Sequence, residues 1–96
     1  MREEEFTKFL DRDDNISNKD KAVKSRLSKA RRVEEKCSVD LDYIVKDNTR
    51  TYDLLVKIKN ELSDYNGAKQ NAVRKYFIFV NNREFPSLAN YQKNLK

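Results

Sequence analysis

The chain has 96 residues, with 21 Lys or Arg against 16 Asp or Glu, no histidine, one cysteine and a formal charge of +5. Charged residues make up 39% of it and the mean hydropathy is −0.99, yet Leu, Ile, Val and Phe supply a quarter of the chain, above the roughly 20% below which chains rarely build a core. This is enough for one small folded domain over 1–96, and the absence of histidine excludes His-based acid–base catalysis, Ser-His and Cys-His nucleophile pairs and most zinc sites.

One glycine (Gly67) and one proline (Pro86) rule out a glycine-rich phosphate cradle and favour long regular segments. The first predicted helix spans 3–12. Glu3, Glu4 and Glu5 sit in its first turn, where the helix dipole favours negative charge, and Phe6, Phe9 and Leu10 share one face. This N-terminus has neither the basic start nor the apolar stretch of a secretory signal. Residues 11–15 carry no apolar side chain and read as a linker.

The second helix is predicted over about 18–36, with Ser17 or Asn18 as N-cap and Asp20 in the first turn. Val23, Leu27, Ala30, Val33 and Cys37 fall on one stripe at 100° per residue. Lys21, Lys24, Ser28, Arg31 and Arg32 lie roughly opposite, with Ser25, Lys29 and Lys36 beside them. Arg26 falls within the apolar stripe, so it either pairs with a carboxylate or snorkels past the core edge. Glu34 and Glu35 complement neighbouring arginines. Cys37 reads as a small buried apolar group; a lone cysteine forms no internal disulfide and fits a reducing cytosol.

Residues 40–46 suit a short third helix presenting Leu41, Ile44 and Val45. Asp47, Asn48 or Thr49 caps a fourth over about 50–63, whose Leu54, Leu55, Ile58 and Leu62 form a core stripe, and Asn66-Gly67 reads as its stop. A fifth helix over about 68–81 buries Ala72, Val73, Tyr76, Phe77 and Val80 and turns Gln70, Asn71, Arg74 and Lys75 outward. The run Tyr76–Val80 is locally strand-like, but the helical rows outweigh it. Residues 87–95 form a final short helix or a tail, with 86–96 assigned as the C-terminal tail. The expected fold is all-α, a compact orthogonal bundle of four to five helices with its core over 16–85.

Charge is laid out in blocks. Residues 1–20 sum to −3, 21–36 to +5, 37–66 to −2 and 67–96 to +5. Two separated basic segments and a pI near 9.4 suggest a polyanion footprint. Catalytic and metal signals are weak. Asp11, Asp13 and Asp14 resemble the start of a calcium loop, but its glycine and distal glutamate are missing. No metal site and no cofactor is expected, and no apolar run approaches the roughly 18 residues of a membrane span.

Five stretches carry a family resemblance: Glu5-Phe6-Thr7-Lys8-Phe9-Leu10, Ile16-Ser17-Asn18-Lys19-Asp20, Val23-Lys24-Ser25-Arg26-Leu27-Ser28-Lys29-Ala30, Leu41-Asp42-Tyr43-Ile44-Val45 and Asn71-Ala72-Val73-Arg74-Lys75-Tyr76-Phe77-Ile78-Phe79-Val80. The first resembles a leading helix. The other four, in that order, resemble the N-terminal core-binding (SAM-like) domain of tyrosine recombinases, the phage-integrase family. The resemblance implies a helical bundle that clamps one side of double-stranded DNA through its long second helix and its closing helix.

Carried over by position, the implied contacts are Lys21, Lys24, Ser25, Ser28, Arg31 and Arg32 on one helix, and Lys69, Gln70, Asn71, Arg74 and Lys75 on the other. Asp40, Asp42, Asp47, Asp53 and Asp64 would face away from the polyanion. The family's catalytic domain has no counterpart here, so the resemblance implies a non-enzyme that works beside a separate catalytic domain or as a stand-alone relative. A rival expectation is a small phage or mobile-element module that docks on a host or partner enzyme, with Tyr76, Phe77, Ile78, Phe79, Phe85 and Tyr91 supplying the patch. Against it, all of these but Ile78 and Tyr91 read as core.

Overall fold

Six α-helices follow one another: α1 (Glu3–Asp11), α2 (Lys19–Cys37), α3 (Leu41–Val45), α4 (Asn48–Glu61), α5 (Ala68–Asn81) and α6 (Leu88–Lys93). The computed structural model describes residues 1–12, 19–64 and 66–93, Lys19 and Asp20 by their backbone alone. The expected Ser17 or Asn18 cap, the Ile16–Lys19 opening and the linker aspartates Asp13 and Asp14 fall at or beyond these bounds. Among the described residues there is no strand, and Tyr76–Val80 is helical. Where four to five helices were expected there are six among the described residues, because of the two readings of 87–95 the short helix is the one observed, as α6, which packs on α4.

The apolar rows of the sequence become the core. Phe6 and Leu10 of α1, Val23, Leu27, Ala30 and Val33 of α2, and Leu41, Ile44 and Val45 of α3 are buried. So are Leu54, Leu55 and Ile58 of α4, Ala72, Val73, Tyr76 and Phe77 of α5, and Phe85 beyond it. Phe9, Cys37, Leu62, Phe79 and Val80 are partly buried against this cluster. Cys37 is half-buried where a buried apolar group was expected, and burial pushes its thiol pKa up. The principal contact is between α2 and α5, with α1 laid against α2 and α3 against α4 and α5.

Helix ends depart from the sequence reading in instructive ways. The fourth helix starts two residues earlier, with Asp47 at its N-cap position, and closes at Glu61, where Ser63 takes the left-handed conformation at φ 52°. Gly67 does not stop that helix. At φ 72° it is the N-cap of α5, a conformation glycine adopts without steric cost. Glu34 does not pair with arginines either. Its carboxylate accepts the Leu41 amide at 3.0 Å and lies 3.2 Å from the Met1 ammonium, tying α2 to the start of α3. Thr51, the buried polar residue of α4, directs its hydroxyl to the carbonyls of Asp47 (2.9 Å) and Ile44 (3.2 Å).

One polar network fastens α1 and α3 onto α5. The Tyr76 hydroxyl donates to Asp42 Oδ1 at 2.6 Å and accepts the Arg2 amide at 2.9 Å, while Arg2 Nε donates to the same Asp42 oxygen at 3.1 Å. Burial pushes the Tyr76 phenol up to about 12, with the bond to Asp42 adding to it and the Arg2 amide opposing. Burial alone would raise Asp42, but the bonds from Tyr76 and Arg2 outweigh it and hold the carboxyl below its ordinary value.

Both shifts fix a direction for stability. The Asp42 contribution is present above its unfolded value of 3.8 and is lost as the pH falls below it. The Tyr76 contribution is complete below its unfolded value of 10.0 and is lost as the pH climbs toward about 12. Tyr76→Phe is expected to lower unfolding stability by about 1–2 kcal/mol at neutral pH, because Asp42 loses a donor. Denaturant titrations should also show the variant losing less stability than the parent between pH 10 and 12; equal losses would place no pH-sensitive bond at Tyr76.

Candidate nucleic-acid interface

The antiparallel packing of α2 on α5 follows from which residues share a surface. Arg26 of α2 shares a depression with Asn71, Arg74, Lys75 and Ile78 of α5, and with Glu84 and Phe85 of the following segment. Further along α2, Arg32 and Lys36 share a second depression with Lys69 of α5 and with Glu61, Leu62 and Ser63 at the end of α4. Rising along α2 therefore means descending along α5. Six residues separate Arg26 from Arg32 and five separate Arg74 from Lys69. At 1.5 Å per residue these intervals are about 9 and 8 Å, so the two depressions, together termed the trough, lie at successive levels of the α2–α5 pair, and the lining cations turn by about 120–140° around their helices between them. Six cations line the two depressions against two carboxylates, Glu84 and Glu61.

The structure divides the sequence-expected residues into those it gathers and those it does not. Arg32, Lys69, Asn71, Arg74 and Lys75 line the trough. Lys21, Lys24, Ser25, Ser28 and Arg31 are exposed on α2. Arg31 is turned to the opposite flank, where its guanidinium pairs with Glu3 of α1. Lys24 lies only 20° from Arg31 around the helix at 100° per residue, and so shares that flank. Gln70 is engaged by Asp64, which accepts its side-chain amide at 3.3 Å.

Two lining residues were outside the expected set. Lys36 was read as flanking, and Arg26 as part of the core stripe. Its position on that stripe is what leads the Arg26 side chain along the α2–α5 seam. That side chain is half-buried, and its Nε is buried and has no hydrogen-bond partner among the described residues. A basic residue on an apolar row is itself the signal, since it has no reason to lie there for packing alone.

Arg74 is held in place. Its Nη1 donates to the carbonyls of Phe85 (2.9 Å) and Pro86 (3.0 Å), and its guanidinium sits 5.8 Å from the Phe85 ring centre. Burial lowers its pKa from the ordinary arginine value, the mark of a charge partly withdrawn from water. The aromatic residues named for a docking patch are largely internal. Tyr76, Phe77 and Phe85 are buried, and Tyr91 stacks on Tyr52 with 4.8 Å between ring centres. The exposed large apolar side chain among the described residues is Tyr43, under the Arg50 guanidinium.

The aspartates separate similarly. Asp40 and Asp42 are engaged at the Met1–Arg2 end and Asp47 lies 3.7 Å from Arg50. Asp64 is the exception. Its carboxylate accepts the amides of Lys69 (2.8 Å) and Gln70 (3.1 Å), which brings a negative charge to the trough's lower end. Gly67 has no side chain to cap α5, so Asp64 does it from three residues upstream, while Asn66 accepts the Ala68 amide at 3.1 Å. Asp64→Ala is expected to lower stability by about 1–2 kcal/mol, and Asp64→Asn by less, in thermal or denaturant unfolding. If the alanine variant were as stable as the parent, the carboxylate would not be closing the helix end.

Compared with family models, with curated proteins and with solved structures, the chain matches none.

Proposed function

We propose that this chain is a non-catalytic DNA-binding bundle of the integrase core-binding kind, which grips duplex DNA along the trough between α2 and α5. The observation that carries this reading is that two basic segments, 33 to 54 residues apart in sequence by their Lys36–Lys69 and Lys21–Lys75 limits, both supply cations to each depression, Arg26 with Arg74 and Lys75 in one and Arg32 and Lys36 with Lys69 in the other. Lys and Arg supply phosphate contacts and a salt-dependent affinity, and Asn71 at the trough supplies a polar group able to reach a phosphate or a base edge. Any cutting or joining of strands belongs to a separate catalytic domain or partner protein, with this bundle contributing position and affinity.

The test is a salt series of duplex binding read by fluorescence anisotropy. Six neutralised phosphates give a slope of about −5 for log affinity against log salt. The double variant Arg32→Gln/Lys69→Gln is expected to weaken binding across unrelated duplex sequences and to reduce that slope by about 2. Asp64→Asn, which removes the negative charge at the trough's end, is expected to strengthen binding. Flat salt dependence, or unchanged binding by the double variant, would overturn the DNA reading and leave docking on a partner protein as its replacement.

A further inference from the structure

The upper part of the trough is a pocket between α2, α5 and the segment that follows α5. Its volume is about 360 Å³, and its walls come from α2 (Arg26), from the outer face of α5 (Asn71, Arg74, Lys75, Ile78) and from Glu84 and Phe85. Two guanidiniums line it, and that of Arg74 is fixed. Arg74 is anchored through Nη1 to two backbone carbonyls, which leaves three of its five N–H donors uncommitted by those bonds. Arg26 is threaded between α2 and α5 with its Nε buried and unpartnered among the described residues.

A buried N–H without an acceptor is destabilising, and a charged one more so. The carboxylate on the wall is Glu84, which is exposed, so with Arg26 and Arg74 both lining it the pocket keeps an excess of positive charge. Planar donors in a fixed fork suit an oxyanion with several acceptor oxygens, a geometry that phosphate supplies.

We infer that the Arg26–Arg74 pocket is a seat for a single phosphate group, taken from the DNA backbone as a phosphodiester. The inference rests on the DNA reading for the source of the phosphate and not for the pocket's chemistry. Arg26 and Arg74 supply the guanidiniums that line the pocket, and Asn71 a neutral donor at the rim. The seat would fix the register of the duplex along the trough, while Arg32, Lys36 and Lys69 hold it more diffusely.

Arg26→Met separates this role from a structural one. Methionine keeps the apolar stem on the α2 stripe and removes the orphaned donor, so thermal stability should match or exceed that of the parent. Duplex affinity should nevertheless fall about tenfold, with the salt slope reduced by about 1. In parallel, NMR of the arginine Nε–H signals during titration with inorganic phosphate reports on the pocket without DNA. A tenfold loss at intact stability supports the seat. Wild-type duplex binding by Arg26→Met overturns it, even where Arg32→Gln/Lys69→Gln still weakens binding and the DNA reading stands. No duplex binding by the parent, with a phosphate-dependent shift of the Arg26 signal, upholds the pocket as a site for free phosphate and overturns the DNA reading. No response to either probe overturns the seat.

Discussion

Everything in this molecule turns on the packing of α2 against α5. Each helix carries a row of apolar residues at helical spacing, and both rows include a fully buried alanine, Ala30 and Ala72. Small residues on facing helices let the axes approach, and the larger neighbours Val33, Val73, Tyr76 and Phe77 then close the core around them. The same two helices hold most of the chain's excess positive charge. Burying their apolar sides together therefore brings like charges together outside, and the hydrophobic term is the larger of the two. Each fully buried Leu- or Phe-sized side chain contributes about 1.5–3 kcal/mol, whereas exposed charges at such spacings repel weakly and are screened by salt within about 10 Å.

The chain moderates that repulsion without removing it. Glu61 and Glu84 stand at the two depressions, and Asp64 is drawn in to cap α5. On the far flank Arg31 is paired with Glu3, so a cation that sequence counting assigns to the ligand face is instead a fastening of α1 onto α2. At the two depressions Arg26, Arg32, Lys36, Lys69 and Arg74 outnumber the lining carboxylates. A protein arranged this way is stabilised by any polyanion that neutralises the seam, because a ligand that binds only the folded state shifts the folding equilibrium by mass action.

The helices themselves were legible from periodicity. The α5 limits, the core rows of all five long-predicted helices and the helical state of Tyr76–Val80 follow from i, i+3, i+4 spacing, which a local pattern reports directly. Less legible was anything set by neighbours. Asn66-Gly67 carries a strong local signal for a break, but nothing local says whether it ends one helix or begins the next; Asp64, reaching forward to the Lys69 and Gln70 amides, decides it. Which flank of α2 would meet α5 was equally hidden. That choice separates Arg31 from Arg32, adjacent in sequence and on different surfaces in the fold. The short α6 gains its order from packing on α4, with Tyr91 against Tyr52, a contact no local propensity encodes.

Arg26 shows where local and global requirements conflict. On a row that is otherwise Val23, Leu27, Ala30 and Val33, a guanidinium with a buried, unpartnered nitrogen opposes folding, and nothing described inside the protein offsets it. A chain whose other apolar rows are consistent with one fold breaks its own pattern at this position, and departures of that sort concentrate at functional sites. An anion in the pocket would satisfy Arg26 and Arg74 together, and it would do so only where α2 and α5 are packed as they are here. On that reasoning the residue that weakens the seam on its own is the one that couples the seam to its ligand.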